Sequence, residues 1–270
     1  GDSVTFLGST FWKYGEKEPY LNHCIALDTC NKINAKNTKI ESYKTEASVL
    51  LAWTKLIQRE DPDVIIGYNI FGFDYEFMFR RSIETRCMED FVQLSRRKNE
   101  LCFKHVDKED KIEESKIVIA SGEHDLKYIK MSGRIQVDLY NYLRRDYPLP
   151  SYKLDYVAGH FIGDGVKEIQ HEESKTIIYT KNMKGLNVDS FIHFEESSHS
   201  VDYYKDGAKF KISSMDLDNN TFTIDSIEHL DMTKSVRWAL AKDDVTPQDI
   251  FRMTKEGPKE RAVIAKYCIQ

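Results

Sequence analysis

Hydrophobic positions gather first into two short runs, Val4 to Phe11 and Leu21 to Leu27. The turn chemistry of Gly15-Glu16-Lys17-Glu18-Pro19 between them predicts a β-hairpin. After Thr45-Glu46 the period changes: Val49, Trp53 and Leu56-Ile57 recur at helical spacing and predict a helix ending near Arg59. The run Asp63-Val64-Ile65-Ile66-Gly67-Tyr68 is short, continuous and β-branched, the pattern of a strand covered on both faces in the middle of a sheet. Asn69-Ile70-Phe71-Gly72 reads as a turn, and Phe73 through Ile83 as a helix. The polar stretch from about Ser95 to Ser115 reads as surface loop. Gly133 to Leu139 gives an alternating strand, and Ser151 caps a helix carrying Leu154, Val157, Ala158 and Phe161 on one face. Strand and helix in alternation imply an α/β domain.

From about Val166 to Thr233 the texture shifts to short β-rich runs, Thr176–Thr180, Ser190–Glu196, Phe210–Met215 and Thr221–Ile227. Lys184-Gly185, Asp206-Gly207 and Asp218-Asn219-Asn220 supply hairpin chemistry between them. These runs predict an inserted β module, for which a small barrel is one available arrangement. Helical patterning returns with Pro247 near the start of one helix and Pro258 at the start of another. The expected organisation is an α/β domain over residues 1–165 and 236–270, interrupted by a β-rich insert over 166–235.

Composition narrows the classes. At 270 residues the chain can bury a sizeable core, and no apolar run approaches the ~20 residues that span a bilayer. Its opening, Gly1-Asp2-Ser3-Val4, lacks the basic and apolar regions of a secretion signal. Five cysteines without a Cys-x-x-Cys pair argue against a disulfide framework or a cysteine zinc site and fit a reducing compartment. The net charge of -5 gives no global attraction to nucleic acid, so such a contact needs local basic surface or metal ions at an acidic site. Arg80-Arg81, Arg96-Arg97-Lys98 and Arg144-Arg145 are candidate basic patches, although such short runs are more often solvated faces. His171, His193, His199 and His229 lack metal-ligand spacing, and neither a glycine-rich phosphate loop nor a Gly-x-Ser-x-Gly nucleophile signature occurs.

The strongest chemical signal is the string Asp61-Pro62-Asp63-Val64-Ile65-Ile66-Gly67-Tyr68-Asn69-Ile70-Phe71-Gly72-Phe73-Asp74. It delivers Asn69 and then Phe73-Asp74 from the carboxyl end of a strand into a helix start, where a carboxylate can hold a divalent cation or simply cap the helix. This string resembles the second exonuclease motif, Asn-x-x-x-Phe-Asp, of family B DNA polymerases, in the polymerase delta-like branch. Gly133-Arg134-Ile135-Gln136-Val137-Asp138-Leu139, Arg144-Arg145-Asp146-Tyr147 and the stretch from Ser151 to Gly163 resemble the segment joining the second and third motifs. Ala265-Lys266-Tyr267-Cys268-Ile269-Gln270 resembles the start of the third motif, Tyr-x-x-x-Asp, whose Asp would come next. Asp2-Ser3-Val4 and its strand resemble the stretch just after the first motif's Asp-Ile-Glu. A long β-rich insert at this place is similar to polymerases of large DNA viruses.

The resemblance implies a ribonuclease H-like 3′-to-5′ exonuclease fold with a β-rich insertion. It also implies a proofreading exonuclease region of a DNA-directed DNA polymerase, hydrolysing phosphodiesters with two Mg²⁺ or Mn²⁺ ions in the intact parent. Asp74 would ligate metal, and Tyr267 would orient the attacking water, unless it is plain core. Asn69 and Phe73 would contact the frayed 3′ end, Phe73 by stacking on a base, the alternative for Phe73 being ordinary packing. Asp138 reads either as an acid supporting the site or as a solvated strand-end carboxylate. Implied partners are primer-template DNA, its single-stranded 3′ end and a processivity clamp, with no membrane, in the nucleus or a viral replication compartment. Of the family's metal-binding carboxylates only Asp74 matches a residue here, so the 270 residues alone are expected to be inactive. A non-catalytic exonuclease-like module that binds DNA or braces a polymerase is the competing reading.

Overall fold

In the computed structural model, which describes residues 2–119, 122–241 and 245–269, the expected hairpin forms as Phe6–Phe11 (β1) and Leu21–Leu27 (β2), antiparallel from Phe6↔Ala26 to Phe11↔Leu21. A strand with no clear sequence signal, Thr38–Tyr43 (β3), adds parallel to β2. The helix Glu46–Glu60 (α1) begins where the Thr45 hydroxyl accepts the Ser48 amide, and it buries Val49, Leu50, Trp53, Leu56 and Ile57. It ends at Asp61, in the left-handed region at φ 45°, whose N–H donates to the Ile57 carbonyl.

Val64–Gly67 (β4) follows, then a π-helical turn Ile70–Asp74, the helix Tyr75–Glu84 (α2) and the short helix Met88–Phe91 (α3). The stretch expected to be loop instead holds Lys104–Val106 (β5), Glu109–Lys111 (β6) and the first residues of Glu113–Ile119 (β7), which pairs with Gly122–Tyr128 (β8). Both are hairpins rich in alternating charges, a pattern easily read as solvated coil. Ile135–Asp138 (β9) then runs parallel to β4 from Val64↔Ile135 to Gly67↔Asp138, and Asp138 opens the helix Leu139–Asp146 (α4).

β4 departs from expectation in its cover. Val64 and Ile66 are 44% and 60% exposed, so only the face carrying Ile65 packs on the core, and β9 is its one hydrogen-bonded neighbour among the described residues.

The chain divides into two compact units, Gly1–Pro148 with Val245–Gln270, and Leu149–Asp244. The second starts with the helix Leu154–Phe161 (α5). Ser151 is not its cap: Lys153 occupies that place, and the Ser151 hydroxyl accepts the Lys153 amide outside the helix. Seven strands follow, Gly163–Glu172 (β10), Lys175–Thr180 (β11), Phe191–Ser197 (β12), Val201–Tyr203 (β13), Phe210–Asp216 (β14), Thr221–Ile224 (β15) and Ser235–Ala241 (β16). Six of them close antiparallel into a barrel in the order β10-β11-β15-β14-β12-β16, with β13 added beside β12. β14 pairs with β12 through Phe210 and Lys211 and with β15 from Ile212 onward, and the bulge between Ile212 and Ser214 gives the local bend a small closed sheet needs. Phe194, Phe222 and Trp238 fill the interior, and the Trp238 indole N–H donates to the Thr180 hydroxyl at 2.9 Å.

The chain returns to the first unit through Pro247–Glu256 (α6) and Pro258–Cys268 (α7). Thr246 and Asp249 form a capping box at α6. α7 lies backbone to backbone on β1: a Cβ at Gly8 would sit 2.2 Å from the Cys268 carbonyl oxygen, so only glycine permits this approach. Arg261, 6% exposed, fastens α7 by donating to the Thr29 carbonyl at 2.6 Å and the Thr254 carbonyl at 2.9 Å.

Candidate functional site

The parallel pairing of β4 with β9 sets the Asn69–Asp74 turn beside the end of β9, because Gly67 is in register with Asp138. Asn69 adopts the left-handed region at φ 61°, which Asn tolerates better than most residues, and its carbonyl accepts the amides of Gly72 (3.1 Å) and Phe73 (3.0 Å). Gly72 leaves room for the Asn69 side chain, since a Cβ there would meet Asn69 Oδ1 at 2.2 Å. Asn69 is thus the hinge of the turn, a role its place in the motif did not reveal.

Asp74 ends the π-helical turn and begins α2. Its carboxyl is pushed above the usual aspartate range, mainly by burial and further by the negative charge of Asp138, while a backbone hydrogen bond pulls the other way. No Lys, Arg or His is paired with it among the described residues. A largely buried carboxylate that lacks a counter-charge is the setting that a divalent cation relieves. Among the described residues, however, no group of three or more His, Cys, Asp or Glu is gathered to hold a metal. Asp74 therefore fits one ligand position, not a complete site.

Phe73 projects from the turn, 57% exposed, with its ring stacked on Phe77 at 5.4 Å and 11°. Tyr267 sits half-buried near the end of α7, which packs on β1 and β2, whereas the turn bearing Asp74 packs on α2 and β8. Asp74, Phe73 and Asn69 are thus gathered in one turn, and Tyr267 belongs to a different packing surface of the same unit.

Two residues at the site go beyond what periodicity signals. Asp138 is no solvated strand end: it is 5% exposed and accepts from the amides of Asn69 (2.7 Å), Phe71 (3.0 Å) and Tyr140 (3.0 Å) and from Asn141 Nδ2 (3.2 Å). Tyr75, 2% exposed, buries its hydroxyl without a hydrogen-bond partner among the described residues, and burial followed by the charges of Asp74 and Asp138 pushes that phenol up. The sequence left Asp138 between two readings because its bonds to Asn69 and Phe71 depend on β9 arriving next to β4, and Tyr75 carried no signal of its own.

The basic runs are largely engaged within the fold. Arg81 is bidentate to Glu46, with Nε at 2.8 Å and Nη2 at 2.6 Å, and also pairs with Glu84. Arg80 pairs with Glu76 and Arg145 with Asp146. Arg96 binds Asp61 (2.8 Å) and Asp63 (2.7 Å), and Arg134, whose side chain is 2% exposed, joins Asp61 at 2.7 Å. The opening Asp61-Pro62-Asp63 of the motif string is therefore a structural clamp ahead of β4.

Residues 1–157 match the model of a family described as the DNA polymerase family B exonuclease domain. A DNA polymerase of Phaeocystis pouchetii virus is 44% identical over an alignment covering 100% of this chain and 27% of the relative. A DNA polymerase of Pyramimonas orientalis virus is 39% identical, again over 100% of this chain and 20% of the relative. The DNA polymerase delta catalytic subunit of Bos taurus is 34% identical over 63% of this chain and 14% of its own length. The chain thus spans about a quarter or less of the length of these relatives.

Proposed function

Since the chain belongs to the family of exonuclease domains of family B DNA polymerases, we propose that it is the 3′-to-5′ proofreading region of a longer DNA-directed DNA polymerase, built on a ribonuclease H-like fold. The observation that carries this reading is the Asn69–Asp74 turn, which sets an uncompensated carboxylate next to an exposed aromatic ring at the end of a parallel strand pair. Carboxylates in such a nuclease would hold divalent cations, which would supply activation of water and stabilisation of the leaving oxygen. Mg²⁺ or Mn²⁺ is the expected metal, and Asp74 is the residue of this chain that would hold it.

The remaining roles are assigned to other side chains of the same unit. Phe73, backed by Phe77, offers a flat face on which the last base of a single strand stacks without regard to its identity. Asn69 lies at the same turn, within reach of the same frayed nucleotide. Tyr267 is assigned the orientation of the attacking water. A mismatched 3′ end frays more cheaply than a paired one, so single-strand capture is itself the source of selectivity. Primer-template DNA is the substrate and a processivity clamp the expected partner; no helix among the described residues is long and apolar enough to cross a membrane.

The test is digestion of 3′-ended DNA by the full-length polymerase with Mg²⁺. Single-stranded and mismatched ends are expected to be removed faster than paired ones. Phe73→Ala should raise KM for single-stranded DNA about tenfold, the loss of one base–aromatic stack, with little change in stability because the ring is mostly exposed. An unchanged KM would remove Phe73 from the substrate site.

A further inference from the structure

Asp138 carries more hydrogen bonds than a helix cap needs. Capping α4 uses one of them, the Tyr140 amide to Oδ1 at 3.0 Å. Two others run to the preceding turn: the Asn69 amide to Oδ1 at 2.7 Å and the Phe71 amide to Oδ2 at 3.0 Å. One carboxylate thus grips both sides of Ile70, where the π-helical turn begins. From there the bonds continue, since the Asn69 carbonyl receives Gly72 and Phe73, the residues that lead into Asp74. Among the described residues no Lys, Arg or His pairs with Asp138, so its charge is satisfied by N–H donors alone.

We propose that Asp138 is a positioning residue for the nuclease site, its two oxygens locking the Asn69–Phe71 backbone so that Asp74 is presented to metal. The proposal rests on the nuclease reading of Asp74. The chemistry demands a carboxylate at this position: an amide has one accepting oxygen, and its NH₂ group would face an N–H donor of the turn. Serine, by contrast, caps a helix as well as aspartate does but is too short to reach the turn. The two substitutions therefore separate turn locking from capping.

The experiment uses the full-length polymerase, with Mn²⁺ alone titrated by electron paramagnetic resonance and Mg²⁺-dependent digestion of single-stranded DNA measured alongside. Asp138→Asn and Asp138→Ser are each expected to weaken the Mn²⁺ binding that Asp74→Ala removes, and to lower digestion, by about 10- to 100-fold, the usual effect of losing a group that orients a ligand. Nucleotide addition should be unchanged. Asn141→Ala, which removes only the bond at 3.2 Å, should behave as wild type. Wild-type Mn²⁺ binding and digestion in Asp138→Ser would overturn the proposal and leave Asp138 a cap. If Asp74→Ala itself loses neither Mn²⁺ nor digestion, the metal assignment fails first, whatever Asp138 does.

Discussion

Asp74→Ala in the full-length polymerase is expected to reduce 3′-to-5′ digestion about 10³-fold or more while nucleotide addition proceeds at its normal rate. The size follows from what a bound metal supplies in phosphodiester hydrolysis, several kcal/mol of barrier lowering, at about 1.36 kcal/mol per tenfold in rate. A second measurement separates chemistry from folding. Burial, and then the charge of Asp138, hold the Asp74 carboxyl above its ordinary range in the folded chain. A carboxyl raised in the folded state contributes stability below its unfolded pKa and loses it as pH rises through the folded value. Without metal, ionising Asp74 therefore burdens the fold, and Asp74→Asn, which cannot ionise, should show in a chelator a urea midpoint equal to or above wild type. Loss of digestion together with a lower midpoint and failed nucleotide addition would mean that Asp74 serves folding instead.

The motif from Asp61 to Asp74 was legible because its elements are local: a β-branched run, a turn and a helix start within a few residues. The hairpin of β1 and β2 and the helix α1 were legible for the same reason, each with its own turn or cap. What the order could not convey is pairing at long range. Asp138 is separated from Asn69 by two helices and two hairpins, and only the parallel register of β4 with β9 turns a strand-end acid into the lock of the turn. The hairpins β5–β6 and β7–β8 were hidden by charge alternation, since ion pairs such as Lys116 with Glu123 put polar residues on paired strands. β4 looked fully buried because a continuous apolar run carries no information about which neighbours are present to cover it.

Long-range fastening also sets the second large effect, at Arg81. Its guanidinium meets both oxygens of Glu46, with the two side chains 12% and 8% exposed, and Glu46 Oε1 additionally accepts the Val4 amide at 2.7 Å. One ion pair thereby ties the start of the chain, α1 and α2 together, and α2 begins at the residue after Asp74. Arg81→Ala leaves the Glu46 carboxylate buried with the Val4 amide but without a cation, and breaking a buried pair from one side costs about 3–5 kcal/mol. Urea denaturation at pH 7 should register that loss. The pH dependence fixes the cause. Burial by itself would raise the Glu46 pKa, but the Arg81 and Val4 hydrogen bonds outweigh it and hold the carboxyl below its usual range. A depressed carboxylate contributes stability above its unfolded pKa and loses it as pH falls through the folded value, so the wild type should weaken on acidification. In Arg81→Ala the desolvation push faces less opposition, Glu46 shifts upward, and protonation now relieves the buried charge. The gap between wild type and variant should therefore be widest near pH 7 and shrink toward pH 4; a gap independent of pH would assign the loss to the packing of the Arg81 stem and not to its charge.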